Sequence, residues 1–311
     1  MEVIDKETPS TKLDIQKEKN KQRRIHITKT ALSYLFLTIC AFFSFLPFYW
    51  MVISSIKTET EYRAVPVTFF PKSFKWENYS YVISKGNNAA FGQSLFNTVL
   101  IGVVSTILGL VVIVFTAYAL ARIDFKGKNL LFTLMLATMM IPGELYTITN
   151  FVTVTRLGWR DTYVVMILPF LVSIYYVYLL RNTFKQIPES LYKAAKVDGC
   201  GNMAFLVKVM VPLAAPTLIS IALLKFIATW NSYIWPRLVN DPNAGYMLIS
   251  NWMTRGFTDD GTLYNGLWGD SDSLNTLRMC AACLVSFPLF VLFMFFRKYI
   301  MHGVSKSGTK G

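Results

Sequence analysis

Of the chain's 311 residues, 53% are hydrophobic and only 16% charged, with a formal net charge of +13; an average soluble domain is roughly 25% charged. Several apolar runs reach the roughly 20 residues that cross a bilayer, so the composition excludes global disorder and argues against an ordinary soluble enzyme. The four cysteines, Cys40, Cys200, Cys280 and Cys283, are too few and too scattered for a disulfide scaffold.

Residues 1–30 are polar, mixed in charge and contain eight Lys and Arg. The polar stretch is too long for a signal peptide and no cleavage site follows the first apolar run, so it reads as a cytoplasmic tail before an uncleaved span. Six apolar segments follow, at about 31–56, 96–121, 130–151, 163–180, 211–235 and 276–296. Proline lies in or near several of them (Pro47, Pro142, Pro169, Pro212, Pro216, Pro288), which transmembrane helices tolerate because neighbours satisfy the freed backbone groups. Strand-like alternation is weak, against a β-barrel. The expected fold is an all-α membrane protein: six transmembrane helices over 31–300, with a short tail over 301–311.

Of the 31 Lys and Arg, 20 fall in segments 1–30, 122–128, 181–210 and 297–311, and nine in 57–92, 151–162 and 236–275. Positive charge marks the cytoplasmic side, so both termini and the 181–210 loop are expected inside and the 236–275 loop outside. The same asymmetry accounts for the basic balance without nucleic acid as a partner.

The stretch from Pro188 to Gly201 carries the strongest local pattern. Pro188 and Glu189 suit a first helical turn. Leu191, Ala194, Ala195 and Asp198 are expected on one face at i, i+3, i+4, i+7 spacing, and the alanines keep that face low. Gly199 can adopt the left-handed conformation that ends a helix, and Asn202 can cap the next one. A short amphipathic helix beneath the membrane is expected, either resting on headgroups or docking onto another protein.

Intramembrane polar groups are the other candidates. Lys225, Thr229 and Ser232 share one face of the fifth span, with Trp230 and Asn231 beside them, and Glu144 follows Pro142-Gly143 in the third. We expect these six to border a substrate pathway, with Lys225 otherwise snorkelling or pairing inside the bundle. Trp235 fits a membrane interface better than a sugar-stacking role. The outer loop holds Trp252, Phe257, Tyr264 and Trp268 among glycines and aspartates, a composition suited either to a protein contact surface or to a cap on the chain's own bundle. His26 and His302 lack ligand spacing for a metal, the CxxC of Cys280 and Cys283 sits in an apolar span where packing outweighs redox chemistry, and Gly127-Lys128 lacks the spacing of a P-loop. Energy for any transport would therefore come from a partner or an ion gradient.

The segment Lys193-Ala194-Ala195-Lys196-Val197-Asp198-Gly199, with Val211-Pro212 after it, resembles the EAA loop of permease subunits in ATP-binding-cassette importers, with Lys193 in place of the usual acid. From about residue 31 the chain is similar to the smaller permease of maltose-type carbohydrate importers. Phe74-Lys75-Trp76-Glu77-Asn78-Tyr79, Ala117-Tyr118-Ala119-Leu120-Ala121-Arg122, Met140-Ile141-Pro142-Gly143, Trp230-Asn231 with Trp235-Pro236, and Lys310-Gly311 also match. The resemblance implies a type I importer permease fold with a cytoplasmic coupling helix in a bacterial cytoplasmic membrane. It implies a second homologous permease, two ATP-binding subunits that hold ATP and Mg, and an extracellular solute-binding protein. It implies no catalysis and no cofactor in this chain, with Leu191, Ala194, Ala195, Asp198, Gly199 and Gly201 at the ATPase contact and the outer loop against the binding protein. The rival reading is a secondary transporter of small polar solutes driven by an ion gradient. It predicts inverted repeats and discontinuous helices around an ion site; no convincing repeat is visible and span carboxylates are nearly absent. A membrane-embedded enzyme fits less well, for want of paired acids, a nucleophile–base set or a metal cluster.

Overall fold

The apolar runs fold into helices, and among the described residues no strand forms. The structure, a computed structural model, describes residues 9–84, 91–143, 145–241, 244–255 and 274–305. Helix α1 (Pro9–Ser55) unites the basic tail with the first apolar run and continues past Pro47. At 1.5 Å per residue it is roughly 70 Å long, about twice the hydrocarbon thickness of a bilayer, so its polar half projects beyond the apolar layer. Short helices α2 (Glu59–Tyr62) and α3 (Glu77–Ser84) lead to α4 (Phe91–Arg122), the most enclosed of the three long apolar helices.

The next two runs differ from the uninterrupted spans expected of them. The third is α5 (Lys128–Thr138) and α6 (Leu145–Arg156), parted at Pro142-Gly143. The fourth is α7 (Tyr163–Ile167) and α8 (Ile174–Gln186), parted around Pro169. Proline lacks the N–H that would continue a helix and its ring clashes with the preceding turn, so each run breaks where its proline stands. After α9 (Glu189–Val197), α10 (Asn202–Phe205), a π-helical turn over Leu206–Met210 and α11 (Val211–Leu213) lead into α12 (Ala215–Trp230). The two arms, Asn202–Leu213 and Ala215–Trp230, meet at 78°, with Pro212 and Pro216 on either side of the bend. Then come α13 (Ile234–Val239), α14 (Ile249–Arg255) and α15 (Leu274–Ser305). Three described helices are thus long and apolar enough to cross a membrane, four if the bent pair is one span, where hydropathy alone leads one to expect six.

Helix α4 is the central post, packed against α8 and α12, while α1 and α12 both lie against α15. Toward the α9 end, Ile113, Ala117 and Leu120 of α4 meet Val177, Leu180 and Phe184 of α8, with Phe205, Leu206 and Met210. At the opposite end, Val82, Trp230, Ile249, Trp252, Leu277 and Cys280 form a second core. A third, with Ile101, Val165, Met166, Trp235 and Leu248, lies beside it. Outward faces stay apolar: Leu32, Phe36, Phe42, Phe43 and Phe45 of α1 are all exposed, as expected of a surface that meets lipid or another span.

Candidate functional site

Lys225 and Thr229 of α12, with Ser232 from the turn just past its end, line one cavity of about 340 Å³. Phe170 and Ser173 from the α7–α8 break, Tyr176 of α8 and Trp235 of α13 also line it. The three residues expected on one helical face thus border one cavity, although the helix ends before Ser232. Lys225 is only 6% exposed, and its Nζ donates to the Phe170 carbonyl at 3.0 Å. That carbonyl is free because the break leaves it without a helical partner, the usual way that irregular backbone within a membrane bundle supplies acceptors. Gly109 of α4 makes room for the lysine stem: a Cβ there would stand 2.4 Å from Lys225 Cε and 2.5 Å from the Leu171 carbonyl oxygen. Thr229 Oγ1 donates to the Lys225 carbonyl at 3.1 Å and lies 3.5 Å from Ser105 Oγ.

Of the other expected pathway residues, Trp230 and Asn231 do not line this cavity. Trp230 is 3% exposed and packs in the second core beside Phe226 and Trp252; one residue along a helix from Thr229, it is turned about 100° away. Asn231 is exposed at the end of α12, where its N–H donates to the Ile227 carbonyl at 3.0 Å. Glu144 lies outside the described residues. Trp235, expected at a membrane interface, is buried instead: its Nε1 donates to the Val165 carbonyl at 2.9 Å and its ring meets Phe170 edge to face at 5.2 Å.

The α9 helix forms where the sequence places it, with Pro188 as N-cap and Gly199 at φ +76° just past its end. Its faces divide differently from the expected stripe. Tyr192, Ala195 and Cys200 pack toward the bundle core, while Leu191, Ala194 and Asp198 are exposed, together with Val197, which is 88% exposed. Ala195 thus sits on the seating side and Val197 on the free side, a residue the spacing argument passed over. Asn202 does not cap α10 with its side chain; Gly201 stands at that N-cap, in extended backbone. The Asn202 side chain instead accepts from Tyr192 Oη at 3.1 Å, and its carbonyl accepts from Tyr118 Oη at 3.1 Å. Arg122, at the end of α4, donates to the carbonyls of Phe184 (3.0 Å) and Ile187. The Tyr192 bond ties α9 to α10, the Tyr118 bond ties α10 to α4, and Arg122 ties α4 to the end of α8. Lys193 forms an exposed ion pair with Glu189 at 3.3 Å.

In the outer-loop segment, Trp252 is fully buried, 5.1 Å from the Phe91 ring, so it anchors α14 to the bundle rather than offering a contact surface. Phe257, Tyr264 and Trp268 lie outside the described residues. The sequence reading missed Glu59. This carboxylate is 6% exposed and accepts from the N–H groups of Asn275 and Thr276, both at 3.1 Å, from Asn275 Nδ2 at 2.6 Å and from Arg63 Nε at 2.8 Å. It thereby caps the start of α15, where an anion meets the positive dipole end.

Residues 109–306 match the family described as binding-protein-dependent transport system inner membrane component. Over 91% of its length the chain is 29% identical to the arabinooligosaccharides transport system permease protein AraQ of Halalkalibacterium halodurans, 99% of which is covered. It is 27% identical, over 90% of its length, to 97% of the polygalacturonan/rhamnogalacturonan transport system permease protein YtcP of Bacillus subtilis. In fold it is similar to a chain of a bacterial ABC transporter that imports the acidic polysaccharide alginate, with a TM-score of 0.75 at 24% identity over 90% of this chain and 97% of that one.

Proposed function

The chain belongs to the family of binding-protein-dependent transport system inner membrane components, and from that premise we propose that it is one half of the translocation pathway of an ATP-driven oligosaccharide importer. As a member of that family it is a non-catalytic membrane subunit. The oligosaccharide class is supported by relatives named for arabinooligosaccharide and for polygalacturonan and rhamnogalacturonan transport. A solute-binding protein as partner is supported by a fold neighbour in complex with a pentasaccharide-bound periplasmic protein, TM-score 0.59.

In this reading a second permease completes the pathway, and ATP and Mg are bound by separate ATPase subunits beneath it. Both termini lie in the cytoplasm, as the charge asymmetry supports. The observation that carries the mechanism is α9: a short helix with an exposed apolar edge at Leu191, Ala194 and Val197, seated on the core by Tyr192 and Ala195 and linked through Asn202 to α10 and α4. A partner that grips this edge moves α4 and α8 with it, and α8 begins beside the cavity. Broken helices are a feature the ion-gradient reading also calls for; here the α7–α8 break places the Phe170 carbonyl at the cavity wall.

Reconstitution decides between the two energy sources. In vesicles holding the complete complex, oligosaccharide uptake should need the binding protein outside and ATP inside. Uptake that persists without the ATPase and collapses with the ion gradient would overturn the proposal.

A further inference from the structure

Among apolar residues such as Ile101, Met166, Phe170 and Leu248, the cavity wall carries five neutral hydrogen-bonding or stacking groups and one cation. Ser173, Tyr176, Thr229 and Ser232 bring hydroxyls, and Trp235 brings an aromatic face. These suffice for a neutral sugar. A buried ammonium adds nothing that such a sugar requires, and it is costly within a membrane, where lysine is retained for a partner or a function.

Lys225 has no acidic partner among the described residues: its one hydrogen bond is to the Phe170 carbonyl, and the described ion pairs all involve other residues. An ammonium has three donors, so two remain for whatever enters the cavity. The side chain is also held in place rather than free to snorkel. Its stem runs through the gap left by Gly109, and the carbonyl at its tip fixes the direction of Nζ.

We propose that the Lys225 cavity is a subsite for a carboxylate-bearing saccharide, a uronate unit of an acidic oligosaccharide, whose carboxylate accepts from the lysine while its hydroxyls meet Ser173, Thr229 and Ser232. The inference rests on the importer reading above and adds the charge of the cargo. The carboxylate supplies the counter-charge that the protein lacks there, and a charge-assisted hydrogen bond is about twice as strong as a neutral one.

The test uses the complete complex in vesicles, with trigalacturonate and neutral arabinotriose as probes. The wild-type complex takes up trigalacturonate. In Lys225→Gln the ratio of trigalacturonate to arabinotriose uptake falls roughly tenfold, the loss expected for one hydrogen bond to a charged group. Lys225→Cys behaves alike, and aminoethylation of the new thiol restores the ratio, with equally treated wild type as control; this arm also covers poor assembly of Lys225→Gln. An unchanged ratio in both variants makes Lys225 a structural prop and overturns the inference. Wild-type uptake of arabinotriose alone overturns it too, while leaving the importer reading intact. If neither sugar enters in an ATP-dependent way, both fall.

Discussion

Single residues in this chain act across long sequence distances. Glu59 holds the first turn of a helix that starts more than two hundred residues later, satisfying N–H groups that every helix N-terminus leaves open. Glu59→Ala should lower the stability of the assembled protein by about 2 kcal/mol, the cost of losing a cap that is also a charged acceptor. A fall in the thermal midpoint of detergent-solubilised protein, with Glu59→Gln intermediate, checks this. Gly199, at φ +76°, imposes a different constraint. A side chain there costs about 1–2 kcal/mol, more for a β-branched one, so uptake should fall in the order glycine, asparagine, valine. Equal uptake by Gly199→Asn and Gly199→Val would show that the turn after α9 is not strained. Lys225 and Thr229 were legible in the sequence because one helix turn brings them together, and Ser232 follows just past the helix end. Gly109 and the Phe170 carbonyl were not, because they reach Lys225 from other elements.

At the scale of elements, hydropathy located every apolar run but not its continuity. Pro142 and Pro169 stand at breaks between helices, whereas α1 and α15 continue through Pro47 and Pro288. The same limit applies to α9. Periodicity placed the helix and its end, yet Ala194 and Ala195 lie about 100° apart on any helix, and only the packing of Tyr192 against Phe205 (5.1 Å between rings) decides which faces inward. A consequence follows for mutagenesis. Leu191→Asp and Val197→Asp should weaken capture of the ATPase subunit at least tenfold while leaving the permease folded, because they alter only the exposed edge. Ala195→Trp should instead unseat the helix and lower thermal stability. Affinity co-purification beside thermal unfolding separates the two; a stable Ala195→Trp protein with normal stability but no ATPase would return Ala195 to the contact face.

For the whole molecule, the two ends of the bundle have distinct tasks. One end gathers α9, Arg122 and the polar connections that the importer proposal assigns to coupling. The other closes on Trp230, Trp252 and the Glu59 cap, and the cavity lies between, against α4. Composition made the membrane class legible; the tertiary ties between the ends were not, since no local pattern records them. The central claim is that α9 is cytoplasmic and is the handle by which a separate ATPase drives this chain. Its most direct test is a Val197→Cys variant of the complete complex in right-side-out vesicles. The account predicts that this thiol resists a membrane-impermeant reagent added outside and forms a cross-link to the ATP-binding subunit. Labelling from outside, or an unlabelled thiol that never cross-links to that subunit, would contradict it.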